Sequence, residues 1–307
     1  MLNKIIDKTM NPKDAVQEFI SDGDTIGIGG QSIGRVSTLL AHEIVRQQKK
    51  DLTLVGCNLS LSMDLLVGAK LVKRTECGSG SFERFGTAFQ WRNAIQNNLI
   101  EFQDYSHLAM ASRFLAGSLG IPFIPTKSML GTDLLKKQNT NKINPFEIIN
   151  NPWQKDDPVV LLPALQPDVS IIHAQMADKS GNIIIEGFTT HEPEMIKASK
   201  KVIVSCEKLI DSEFVKSHPE KISIPYIFID AVIEQPLGGY PTSVYNYYEH
   251  DSDHILYYQE KARSGGKEYS NYLDEYIYNC KSFEEYIQKS AGTNKIKALK
   301  DSMLKLL

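Results

Sequence analysis

No stretch of the 307-residue sequence approaches the roughly 18 consecutive apolar residues of a membrane span, so no bilayer-crossing segment is expected. The opening residues, Met1 to Met10, mix Lys4, Asp7 and Lys8 into a short apolar run. They lack the uninterrupted apolar region of a secretory signal, which points to a cytoplasmic protein. An excess of one charge is missing too. The 34 Lys and Arg stand against 37 Asp and Glu, and a net charge of -3 is too small to steer nucleic acid or an anionic membrane. Cysteine is scarce: Cys57, Cys77, Cys206 and Cys280 form no CxxC pair, which argues against a zinc site and a disulfide framework and predicts buried, reduced thiols. There is no HExxH motif, so no metal is expected. What is present, 42% hydrophobic and 23% charged residues, is the composition of a folded globular chain.

Asn11-Pro12 opens a helix, with Asn as its cap and Pro in its first turn, and Ala15, Val16, Phe19 and Ile20 share one face. The Ser21-Asp-Gly-Asp24 turn feeds a strand, Thr25 to Ile28, that runs into Gly29-Gly-Gln-Ser-Ile-Gly34. Val36, Leu39, Leu40 and Ile44 then repeat at helical spacing, and Leu52 to Val55 is apolar and β-prone. The alternation continues with an amphipathic segment near Phe85 to Ile95, a strand near Leu99 to Phe102, a helix from Ser106 to Leu119 closed by Gly120, and a strand from Ile121 to Ile124. Further strands are predicted at Val159–Leu162, Val169–His173, Lys201–Val204 and Tyr226–Val232, with turn chemistry at Asp178 to Asn182. The polar, proline-punctuated stretch 136–158 reads as a surface excursion within a single domain covering 1–307, and a helical tail is expected from about residue 268. Alternating β and α units imply an α/β fold, an open, mostly parallel sheet with helices on both faces. Such sheets bind ligands at the carboxyl ends of their strands.

Two loops at such ends are rich in glycine. Gly27-Ile-Gly-Gly-Gln-Ser-Ile-Gly34 lies between a strand and a helix, where its N–H groups can hold an anion or a carbonyl oxygen, or where the loop simply packs helix on sheet. It matches neither GxGxxG nor a Walker A motif, which argues against a nucleoside triphosphate. Glu76 to Gly86 packs glycines, hydroxyls, a carboxylate and a guanidinium together, suiting a loop around a polar substrate, although Glu83-Arg84 reads equally well as an exposed ion pair. His173 and His191 invite a general-base reading, but neither has an identifiable nucleophile beside it, and a hydrogen-bonded structural role is the commoner one. The tyrosine-rich C-terminal region from Tyr245 to Tyr278 reads either as an interface or as core packing.

Taken in order, these segments resemble the A-type half of family I coenzyme A transferases, most closely the glutaconate type. The resemblance rests on the Gly29-Gly30 loop; Ser62-Met-Asp-Leu-Leu-Val-Gly68; Gly80-Ser-Phe-Glu-Arg-Phe-Gly86; Asp104-Tyr-Ser106; and Leu119-Gly-Ile-Pro-Phe-Ile-Pro125. It continues through Pro167 to Gln175, Ala177-Asp178, Gly181-Asn182, Val202 to Glu207, Asp230 to Val232 and Pro236 to Pro241. It implies a CoA-transferase (NagB-like) fold and pairing with a homologous B subunit, as a heterodimer or a dimer of heterodimers. CoA would pass as a substrate from an acyl-CoA thioester to a free carboxylic acid, with no tightly bound cofactor. The family's nucleophile is a glutamate of the B subunit, so no catalytic residue is expected in this chain. By position, Gly29, Gly30, Gln31, Ser79 and Ser81 would wall the acyl pocket. The family often has Thr-Arg where this chain has Thr126-Lys127, and commonly Phe where Gln31 stands. One alternative is a ring-opening hydrolase of the same fold, for which Asp104 or Glu101 would supply an acidic residue on this chain. Another is a non-catalytic ligand-binding module.

Overall fold

In the computed structural model, which describes residues 6–135 and 145–305, Asn11 caps the first helix as expected. Its Oδ1 accepts from the Asp14 N–H at 2.9 Å, and α1 (Pro12–Phe19) buries Ala15 and Val16. From there β1 (Thr25–Ile28), α2 (Thr38–Gln47), β2 (Leu52–Leu59), α3 (Leu61–Gly68), β3 (Val72–Gly80), α4 (Phe89–Gln96) and β4 (Glu101–Asp104) alternate along the chain. Then α5 (His107–Leu119) begins at Ser106, whose Oγ accepts from the Ala109 N–H at 3.0 Å, and ends at Gly120, which takes the left-handed φ of 70°.

The chain next leaves the sheet. β5 (Phe123–Thr126), β6 (Glu147–Asn150) and β7 (Pro158–Pro163) form a separate antiparallel sheet in the order β5-β7-β6. The segments Ile121–Ile124 and Val159–Leu162 were expected to continue the main alternation. They sit in this side sheet because their prolines cannot donate to a central ladder: Pro125 lies on an edge strand, and Pro158 and Pro163 stand at the two ends of β7. Of the expected excursion, residues 136–144 lie outside the described residues.

The main sheet resumes with β8 (Val169–Asp178), β9 (Ile183–Ile184), α6 (Glu192–Ala198), β10 (Lys201–Ile210), α7 (Ser212–Ser217) and β11 (Ala231–Glu234). Tyr226–Phe228 is a 3-10 turn rather than the start of a strand. The strand order is β11-β10-β8-β1-β2-β3-β4, every neighbouring pair parallel, with β9 antiparallel beside β8. This is the expected open, mostly parallel sheet. Alternate residues along its strands face opposite ways: Leu52, Leu54, Ile171, Ile203 and Ile233 join one core, while Val55, Cys57, Ile172, Val204 and Val232 join the other.

The C-terminal helices α8 (Ser252–Ser264), α9 (Gly266–Leu273), α10 (Phe283–Ser290) and α11 (Gly292–Leu304) complete the first core. They begin ahead of residue 268 because Asp251 caps α8, its Oδ1 accepting from the N–H groups of Asp253 and His254. Of the two readings of the tyrosines, core packing holds for most: Tyr248, Tyr258, Tyr269, Tyr272 and Tyr276 are buried, and Tyr245 and Tyr278 are exposed. Asp64, fully buried on α3, ties this region together. It accepts from the Trp91 N–H and from the Tyr258 hydroxyl, both at 2.8 Å, and burial pushes its carboxyl up to about 7.

Candidate functional site

The chain steps from β1 toward β4 on one side and from β8 toward β11 on the other, so β1 and β8 are neighbours whose following loops diverge. A crevice opens where the strand order reverses, and ligands of open α/β sheets bind there. A cavity of about 420 Å³ occupies this place. Gln31 reaches it from the loop after β1, Cys57 from β2, and His107, Leu108 and Leu115 from α5. Phe188, Thr190, His191 and Glu194 close the side formed by α6 and the segment before it. A smaller cavity of about 190 Å³ shares Gln31 and Phe188 and adds Arg35, Glu186, Ser243 and Tyr245.

Beneath the cavities lies a buried ion pair. Glu192 accepts from both terminal nitrogens of Arg35, and these also donate to the carbonyls of His173 at 2.8 Å and Phe188 at 3.0 Å. The same carboxylate accepts the Gly30 N–H at 2.9 Å. The Gly29 N–H goes to the Ile171 carbonyl, and Gln31 and Gly34 exchange N–H and carbonyl across a tight turn. Of the two readings of this loop, N–H groups that hold an anion or carbonyl oxygen and a turn that packs helix on sheet, the structure favours the second: the N–H groups of Gly29, Gly30 and Gln31 are all engaged within the protein, and it is Gln31 that lines both cavities. A glycine at 29 is required by close approach: a Cβ there would stand 2.5 Å from the Glu192 carboxylate and 2.6 Å from Ile172.

The second glycine-rich stretch, read as a loop, is strand as far as Gly80, and the ends of β2 and β3 carry a hydrogen-bonded relay. Asn58 donates to the Glu83 carboxylate at 3.2 Å, and a carboxylate only accepts. Asn58 must therefore turn its carbonyl to Ser79, whose hydroxyl donates to it at 2.8 Å. The Ser79 oxygen is then left to accept from His107 Nε2, 2.9 Å away, which fixes the proton on that nitrogen. Gly78 makes room, since a Cβ there would fall 2.3 Å from the His107 ring. Ser79 thus stands one bond behind the cavity wall. Ser81 is further off: its Oγ accepts from the Glu83 N–H and its carbonyl from the Ser32 hydroxyl. Glu83 and Arg84 do not pair with each other, because Arg84 donates to His250 and Ser252.

Burial disarms the other reactive side chains nearby. It pushes the Cys57 thiol up to about 12 and the His191 imidazole down to about 4, so neither is ionised at neutral pH. All four cysteines are free and buried, as expected. His173 is wholly buried between Ser205 and Glu207 under the Gly238-Gly239 turn, which is the structural role. Glu101 starts β4 and accepts from Arg74 at 2.8 Å, while Asp104 ends β4 opposite Cys77; neither lines the cavities. Lys127, just after β5, is ion-paired with Asp157, just before β7, at the edge of the side sheet. His250 and His254 are four residues apart in sequence, a spacing that on a helix can hold a metal, but His250 lies before the Asp251 cap of α8. The first bonds Arg84 and Glu249, and the second is buried against Tyr272 and Tyr286. His107, Phe188 and Glu194 escaped the sequence reading, since the contacts that assemble the cavity are long-range and leave no local spacing.

A sequence profile of the coenzyme A transferase family matches residues 9–235. An uncharacterised Archaeoglobus fulgidus protein is 34% identical over 97% of this chain, which spans 65% of that protein's length. The A component of 3-oxoadipate CoA-transferase from Pseudomonas knackmussii is 32% identical over 91% of this chain and 96% of its own. The A component of glutaconate CoA-transferase from Acidaminococcus fermentans is 29% identical over 94% of this chain and 93% of its own. The crystal structure of glutaconate CoA-transferase from that organism superposes with a TM-score of 0.88 at 29% identity, covering 95% of each chain. A cholesterol ring-cleaving hydrolase subunit of Rhodococcus jostii is more distant, at 26% over 84% of this chain and 88% of its own.

Proposed function

The chain belongs to the coenzyme A transferase family, and from that premise we propose that it is the A-type half of a two-subunit, cytoplasmic enzyme that moves CoA from an acyl-CoA thioester to a free carboxylic acid. The observation that carries this reading is a cavity at the strand-order reversal in which the thiol and the buried imidazole are both un-ionised and Glu194 is the one carboxylate among the described residues that line it. Its relatives named as A components imply a homologous B subunit, and the attacking carboxylate is assigned to that subunit rather than to Glu194. The cavity rim favours such a partner: Leu108 is 62% exposed and Phe188 73% exposed beside the opening.

In this reading a partner glutamate attacks the thioester carbonyl and expels the CoA thiolate, leaving a mixed anhydride. The thiolate then attacks the glutamyl carbonyl, which releases the first acid and leaves a glutamyl-CoA thioester for the incoming carboxylate. This chain contributes a wall that excludes water from the anhydride, with the Gln31 carboxamide as a donor toward the developing oxyanion and the Ser79–His107 pair as a fixed polar edge. Gly29, Gly30 and Ser81 act through the placement of Gln31 and of the second loop. CoA is a substrate here.

The test is reconstitution. The chain alone should transfer no CoA, and adding the B subunit should restore transfer. Borohydride treatment of the acyl-CoA-loaded complex should reduce a glutamate on the partner. Turnover by the isolated chain, or a label on it, would refute this division of labour and favour the hydrolase-like alternative.

A further inference from the structure

Among the described residues the cavity is lined by one carboxylate, Glu194 beside Thr190 and His191, and by no Lys or Arg. The nearby guanidinium, Arg35 on the adjoining cavity, spends both terminal nitrogens on Glu192 and two carbonyls. His191 is kept neutral by burial, and the Nε2 proton of His107 is committed to Ser79. Leu108, Ala111, Leu115 and Phe188 supply an apolar remainder.

Resting on the CoA-transfer reading above, we infer that this cavity takes an uncharged acyl chain and that Glu194 is the residue that turns away acyl groups ending in a second carboxylate. Like charges a few ångströms apart in a partly dried cleft repel strongly, and a site discriminates as much by such repulsion as by fit. The apolar face of α5 then receives the methylenes.

The experiment compares butyryl-CoA and glutaryl-CoA as donors to acetate, using the reconstituted two-subunit complex with wild-type chain and with Glu194→Gln. Butyryl-CoA should be favoured by about tenfold or more in kcat/KM. In Glu194→Gln the glutaryl-to-butyryl ratio should rise about tenfold, mainly through a lower KM for glutaryl-CoA. A wild-type preference for glutaryl-CoA, or a ratio unmoved by the substitution, overturns the inference and leaves CoA transfer standing. Loss of transfer from both donors in Glu194→Gln overturns it in favour of a chemical role for that carboxylate. Absence of transfer from every donor tried with the wild-type complex overturns the functional reading itself, and this inference with it.

Discussion

Replacing Asp64 by Asn should flatten the decline of stability with rising pH. The carboxyl is fully buried, and burial moves it from an ordinary value near 4 up to about 7. A raised carboxyl value means that the native state keeps a proton the unfolded chain gives up. The stabilisation is thus complete below about pH 4 and is lost progressively as pH rises to about 7. At 1.36 kcal/mol per unit, a shift of about three units is worth ~4 kcal/mol in all, of which ~3 kcal/mol is lost between pH 5 and 8. Asparagine keeps the shape of the neutral acid: its oxygen can accept from the Trp91 N–H while its NH2 donates to the Tyr258 oxygen. Urea unfolding at pH 5, 6, 7 and 8 measures the effect. The wild-type curve should fall relative to Asp64→Asn by ~3 kcal/mol across that range, with the variant the more stable at pH 8. Parallel curves for the two proteins would refute the assignment of a retained proton to this site.

Ser79→Ala removes the acceptor that holds the His107 Nε2 proton, and the reconstituted enzyme should lose about tenfold in kcat with little change in stability; unchanged kinetics would sink the relay. Native Cys57 and Cys206, whose thiols burial pushes up to about 12, should resist iodoacetamide at pH 8 and react only after unfolding, as read by mass spectrometry.

Local features were legible wherever one residue's chemistry decides the backbone. Asn11 before Pro12, and Ser106 with Gly120 around α5, mark helix ends through hydrogen bonds made within a few residues. The alternation of apolar segments gave the main sheet, because strands covered on both faces read as unbroken apolar runs. The same alternation misled where β5 and β7 peel away: their prolines weigh against a central ladder, but nothing local says which other sheet a short strand joins. That a cavity would open at the loop after β1 was readable, and which side chains line it was not. The Gly30 N–H is claimed by Glu192, 162 residues away, and no spacing advertises that. His107 acquires its role from Ser79 and Asn58 on two other strands, and Glu194 faces the cavity only because α6 packs against α5.

The latch between Glu192, Arg35 and Gly30 has a consequence for motion. Pulling the first loop away from α6 would strand a buried charge without its counterpart, and uncoupling such a pair typically costs about 3–5 kcal/mol. The bed on which an acyl group would rest is therefore stiff. Any tightening around a ligand is left to the exposed side chains at the opening, Phe188 and Leu108, and to whatever surface settles over them.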